Sequence, residues 1–385
     1  MKTSAAAIAV ALIAAVPVSA RDLTPEVRAM IFAPTGEVHL AQAIVTIPLK
    51  GTDHQGFYKC PYMQVYVNGR GPFTFEFDTG GSYTVVSSKV VAAARAPVVF
   101  DRAGHRDVVR LARLAIGGAT LNGVWAIQDD TFGVDGVLGF RSFGNSNLLF
   151  DLAAHRLTVS ASPIPLTKGF ELPYEMPFNI PTIPMTIGHR SVPTLIDTGD
   201  DAFAWEMRSV EIGDAAFQHP PIAGPVVLNA ANEQTTSVTT LVEPLGLGPW
   251  HADAPVLAIN DDLPVGDIGV DVVSQFRMEF EPSRRVVVFE PLFAGNRFTV
   301  PAERTPGFRL AFDGTGTVLG VVPGSAVALA GMARGAKIIS VDGRPAAGLD
   351  RRAWDARLET DAPLAVRWSS AGTEHNATVP ITEMR

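Results

Sequence analysis

Cysteine is almost absent from this 385-residue chain: Cys60 stands alone, so no internal disulfide can brace the fold. It sits between Tyr58 and Tyr62 in an apolar stretch, the setting of a small buried hydrophobe rather than a nucleophile. Charge is sparse too. Asp, Glu, Lys and Arg make up 18% of the residues, and the net charge of −8 comes without a long run of either sign. A clustered basic face is therefore missing, which excludes nucleic acid as a partner. The eight histidines are scattered, without the spacing of a metal site. Gly-x-Ser-x-Gly, Walker A and His-Glu-x-x-His motifs are all missing. Asp261, Asp262, Asp267 and Asp271 lie close in sequence but lack the register of a calcium loop, and read as a solvated turn. Neither a metal nor a cofactor is expected.

Long hydrophobic runs are also few. Ala5 to Val16 is apolar for 12 residues, too short to span a bilayer well. Lys2 precedes it and the small-residue site Val18-Ser19-Ala20 follows. This pattern predicts a signal peptide over residues 1–20, cleaved near Ala20, and a periplasmic or secreted protein. No later segment is apolar enough to cross a membrane.

What the chain does have is 35 glycines and 29 prolines, which predict many short strands and turns, a mostly β fold. It also has a repeat. Asp78-Thr79-Gly80 and Asp197-Thr198-Gly199 each end a strand–Gly turn–strand run: Val65 to Phe77 in the first copy, Met185 to Ile196 in the second. Each is followed by a further glycine-flanked apolar segment, Gly136-Val137-Leu138-Gly139 and then Gly266-Asp267-Ile268-Gly269. Two copies in one order predict tandem lobes, over residues 21–165 and 166–300. A different texture, richer in Pro-Gly and Asp-Gly turns, marks a third unit at 301–385.

The duplicated motif has a chemical logic. An apolar strand drives each Asp to the edge of a buried sheet. Thr79 and Thr198 can hydrogen-bond across the lobe interface, and Gly80 and Gly199 leave bare backbone N–H groups near the carboxylates. Two carboxylates about a hydrogen bond apart cannot both ionise cheaply, so the pair shares a proton. One can then take a proton from water while the other polarises an amide carbonyl.

On these residues the chain resembles bacterial retropepsin-like aspartyl proteases, over roughly residues 41–295. Val65-Tyr66-Val67-Asn68-Gly69, Phe77-Asp78-Thr79-Gly80-Gly81-Ser82, Gly136-Val137-Leu138-Gly139 and Leu195-Ile196-Asp197-Thr198-Gly199 carry the match. The resemblance implies a bilobal fold with a cleft between the lobes and hairpin flaps above it. It makes Asp78 and Asp197 catalytic, a polypeptide the substrate, and a monomer sufficient for an active site. Residues 101–107 and 229–234 are the flap candidates. Two departures stand out. Asp200 and Asp201 follow Gly199, the first where a small neutral residue is usual, and Asp267 replaces an apolar residue. A carboxylate at Asp200 is expected to raise the dyad's pKa values. These changes keep open a competing reading, a catalytically inactive protease fold acting as a peptide-binding scaffold.

Residues 304–385 resemble a PDZ domain through Pro323-Gly324-Ser325-Ala326, Ala330-Gly331-Met332, Gly335 and Ile338-Ile339-Ser340-Val341-Asp342-Gly343. Ala336 departs from the pattern, where an Asp is common. The resemblance makes Gly307-Phe308-Arg309-Leu310 the loop and strand that hold a peptide's C-terminal carboxylate. A strand at 310–312 would accept the peptide beside a helix at 349–358. A module that packs on the lobes and binds nothing is the alternative.

Overall fold

The computed structural model describes residues 36–54, 57–100, 107–130, 134–177, 179–200, 203–228, 233–310, 315–349 and 351–384, together with 29, 31, 32 and 132. The expected signal peptide, the flap tips at 101–106 and 229–232, Asp201, and 311–312 of the peptide strand lie outside the described residues. So does the side chain of Cys60.

The fold is mostly β, with 49% strand, 11% helix and barrel-like sheets. Alternation drives it. In Arg70–Asp78 the side chains of Phe73, Phe75 and Phe77 are buried while Thr74 and Glu76 are half-buried, the period of a strand with one face on a core. This strand pairs antiparallel with Phe57–Val67 and parallel with Gly136–Gly139. Gly136–Gly139 pairs antiparallel with Thr84–Val86, which lies parallel to Ala119–Gln128. Ala119–Gln128 pairs with Val108–Ile116, and that strand returns to Phe57–Val67. The circuit is closed, so the first lobe has a barrel-like sheet.

The second lobe repeats this order and sense. Arg190–Ile196 pairs antiparallel with Thr182–Ile187 and parallel with Gly266–Ile268. Gly266–Ile268 pairs antiparallel with Trp205–Met207, which lies parallel to Val256–Ile259, and that strand pairs antiparallel with Glu233–Thr240. The copy differs at one edge, where Leu245–Leu247 and Trp250–Ala252 extend the sheet. Directly after Gly269 a short helix begins, Val270–Val273.

A six-stranded antiparallel sheet joins the lobes, in the order Phe170–Pro173, Val286–Pro291, Phe276–Glu281, Asn147–Asp151, Arg156–Ser160, Ile44–Pro48. Its central pairing, Leu148 opposite Phe280, links the two copies. Phe150 bridges the cores, stacked on Phe77 at 5.3 Å and edge-on to Phe280 at 5.8 Å.

Residues beyond Glu303 build a separate core around Phe308, Val327, Trp354, Leu364 and Trp368. The last helix runs Arg351–Leu358, shorter at its start than the sequence spacing predicts: Leu349 caps a 3-10 turn. Among the described residues no helix is long and apolar enough to cross a membrane.

Candidate active site

Both Asp-Thr-Gly loops leave the ends of matching strands and meet between the lobes. The threonines lock them together. Thr79 Oγ1 donates to Ile196 O at 2.6 Å and accepts from Thr198 N at 3.0 Å. Thr198 Oγ1 donates to Phe77 O at 2.7 Å and accepts from Thr79 N at 3.1 Å. Both threonines are fully buried, so four backbone groups that water cannot reach are satisfied by two hydroxyls.

This clamp presents Asp78 and Asp197 to each other, 5% and 7% exposed, with their carboxyls hydrogen-bonded together. The glycines are required by space. A Cβ on Gly80 would stand 2.0 Å from Asp197 Oδ2, and one on Gly199 would stand 2.6 Å from Asp78 Cγ. Their N–H groups serve the carboxylates: Gly199 N and Asp200 N donate to Asp197 Oδ1 at 2.7 and 3.1 Å. Gly80 and Gly81 do the same for Asp78.

Burial pushes the Asp78 carboxyl up to about 6, a rise tempered by the Asp197 hydrogen bond and the glycine N–H groups. Asp197 is held well above the usual carboxylate range by burial and then by the charge and hydrogen bond of Asp78. The pair therefore titrates as a unit, and at the singly ionised stage the two carboxyls hold one proton between them.

The structure brings these six residues together and sets Glu206 beside them, which the sequence pattern did not single out. Trp205 and Met207 point into the core, so Glu206 turns to the opposite face of their strand. There it lies opposite Asp267 in register. Glu206 is 5% exposed and Asp267 4%. Burial raises the pKa of both, and Asp200 and Asp197 raise both further. Asn260 Nδ2 donates to Glu206 Oε2 at 3.2 Å. Arg309 and that hydrogen bond pull Glu206 partly back. The charge of Asp200 raises Glu206 and Asp267, while its backbone N–H favours the ionised form of Asp197. The sequence signal for Glu206 was a lone acid inside Ala204-Trp205-Glu206-Met207, at the position Val85 holds in the first copy.

The supposed acidic turn is dispersed. Asp261 and Asp262 are exposed, and Asp261 caps the helix Ser209–Ile212 through Ser209 N and Oγ at 2.7 Å. Asp267 and Asp271 are buried, contrary to a solvated turn, because both belong to the apolar segment behind Asp197. Among the described residues no His, Cys, Asp or Glu group is arranged to hold a metal ion.

Gly307, Phe308, Arg309 and Leu310 lie on the C-terminal unit, away from the aspartate loops in sequence. Gly307 has a φ of +88°, and its carbonyl accepts from Val322 N at 2.8 Å and from Ser325 Oγ at 3.4 Å. Phe308 and Leu310 are buried in the unit's core and Arg309 is half-buried. No protein-family model matches this chain, and no curated protein matches it.

Proposed function

We propose that the protein is an exported aspartic endopeptidase of the retropepsin-like type, with two lobes in one chain and a PDZ-like C-terminal module for peptide or partner binding. The carrying observation is the reciprocal Thr79–Thr198 clamp, which holds two buried, hydrogen-bonded carboxyls at the junction of two copies of one strand order. Ionised Asp78 takes a proton from water as the water oxygen attacks the amide carbon. Asp197 gives its proton to the carbonyl oxygen, forming a neutral tetrahedral intermediate. Collapse breaks the C–N bond; the leaving nitrogen takes the proton from Asp78, and the hydroxyl proton returns to Asp197. The substrate is an extended polypeptide, and one chain supplies the whole site.

The singly ionised pair is the working form. Activity therefore rises with pH through about 6 as Asp78 ionises and falls again when Asp197 loses its proton. Cleavage of a denatured protein across acid to mildly alkaline pH tests this, with Asp78→Asn and Asp197→Asn as controls. Both substitutions are expected to abolish turnover. Cleavage surviving either one would remove the dyad from the mechanism.

A second reading is a non-catalytic peptide binder. It is favoured by Glu206 and Asp267, two further buried carboxyls beside the dyad. An inactive wild type at every pH, with peptide affinity retained, would select it.

A further inference from the structure

The two copies of the fold let each wall beside the dyad be compared position by position. Val85 pairs with Val137 in the first lobe; Glu206 pairs with Asp267 at the same places in the second. Val85 neighbours Ile127, and Val108 lies opposite Ile127; Glu206 neighbours Ala258, and Val238 lies opposite Ala258. In both lobes these residues point away from the barrel core, since Val86, Leu138, Met207 and Ile268 between them point inward. The walls share one architecture and differ in chemistry. The first is wholly apolar, whereas the second has two carboxyls set among Val238, Ala258 and Phe203.

Each wall has a further observation pointing to what it accepts. On the first, Ile31 is packed with Tyr83, Val85, Val108, Ile127 and Val137, 4% exposed, so the wall takes a branched aliphatic side chain. Phe32 stacks edge-on to Tyr83 at 5.9 Å beside it. On the second, Glu206 Oε1 and Asp267 Oδ1 are buried without a hydrogen-bond partner among the described residues. Leaving such groups unpaired is costly, and a donor that reaches both removes the cost.

We propose that the walls are paired side-chain sites and that the protein selects a polypeptide bearing an apolar residue against the first lobe and a lysine or arginine against the second. This rests on the endopeptidase reading for what happens to the bound chain, but not for the selectivity itself. The ammonium or guanidinium supplies the missing donors and the counter-charge. Among the described residues, the charges of Asp78, Asp197 and Asp200 also act on this wall, and Arg309 acts on Glu206 in the opposite sense. Both wall carboxyls are held above the ordinary range by burial and neighbouring acids, so a basic side chain that favours their ionised form releases protons as it binds.

The test uses the full chain and hydroxyethylene peptides, which carry no scissile amide. Leucine is placed on one side of the central isostere and either lysine or its isostere norleucine on the other, in both orders. Calorimetry at pH 7 in two buffers of different ionisation enthalpy reads affinity and proton release together. One lysine peptide is expected to bind at least about tenfold tighter than its norleucine partner, with net proton release. The double variant Glu206→Val/Asp267→Val, which installs the first lobe's residues, is expected to reverse the preference. Its thermal stability is expected to hold, since apolar residues replace buried carboxyls. Equal or weaker binding of lysine by the wild type, lysine preference surviving in the double variant, or no binding of either peptide would each overturn the proposal. The endopeptidase reading is judged separately, by cleavage of the matching amide peptides, so a selective binder that does not cleave and an unselective protease give different results.

Discussion

Thr79 and Thr198 show how much two side chains can determine. Replacing Thr79 by alanine strands Ile196 O and Thr198 N–H in a site with no access to water. Two orphaned buried groups cost roughly 2–5 kcal/mol in total, measurable by urea unfolding, and Thr79→Ser should recover most of that. Turnover should fall at least about a hundredfold, because the clamp sets the separation of the carboxyls. The buried acids make a second residue-scale prediction. Asp78 rises from 3.8 to about 6 on folding, so the folded state binds more protons than the unfolded one between those values. Its contribution is fully present below pH 3.8, the unfolded value, and is lost as pH rises through about 6. Asp197, Glu206 and Asp267 shift the same way and extend the loss to higher pH. Stability measured by denaturant should therefore fall from mild acid toward neutral pH. Asp78→Asn should flatten that slope and gain roughly 3 kcal/mol at pH 8. The aspartates, threonines and glycines were legible in sequence because their chemistry demands those residue types in that order. Glu206 was not, since an acid between Trp205 and Met207 reads as the solvent side of an alternating strand. Only its cross-strand partner, 61 positions away at Asp267, reveals which side it faces.

Among elements, the hairpins were readable and the sheet that joins the lobes was not. Val65 to Phe77 and Leu111 to Ile127 announce themselves by alternation around glycine turns, and each folds on its neighbour in sequence. The joining sheet is built from pairings such as Leu148 with Phe280 and Thr158 with Thr46, contacts whose local pattern contains no hint of the partner. Its centre is aromatic. Phe280 meets Phe140 at 4.9 Å, Phe150 at 5.8 Å and Tyr174 at 6.0 Å. Arg277 adds a bridge between strands, reaching Glu290 at 2.7 Å and Asp151 at 3.4 Å. Phe280→Ala should cost about 3–5 kcal/mol and lower the unfolding midpoint of both lobes together, because the ring belongs to a core that runs through both. Separate transitions for the lobes in that variant would show that the sheet does not couple them.

At the scale of the whole molecule, two large cores stand out among the described residues. Phe298 and Val300 still belong to the core of the lobes, whereas Phe308 and Leu310 belong to that of the C-terminal unit. The unit closes on itself where Glu303–Thr305 pairs with Thr382–Met384. It also touches both lobes. Phe308–Leu310 and Val318–Val321 lie against the hairpin strand Ile222–Leu228 of the second lobe, and helix Arg351–Leu358 lies against Lys50–His54 of the first. A unit with its own core that rests on two neighbours should unfold in its own transition while restraining the segments it touches. Calorimetry of the full chain is expected to resolve two transitions, and a truncation after residue 300 should remove one and leave the other near its original temperature. Hydrogen exchange in the truncated chain should quicken in residues 222–240 and 50–54 while the strands flanking Asp78 and Asp197 keep their protection. Since the paired strands Ile222–Leu228 and Glu233–Thr240 lie on the side of the acidic wall, such quickening would tie access to that wall to the seating of the C-terminal unit. Unchanged exchange there would make the contact incidental and leave the two cores independent in function as well as in folding.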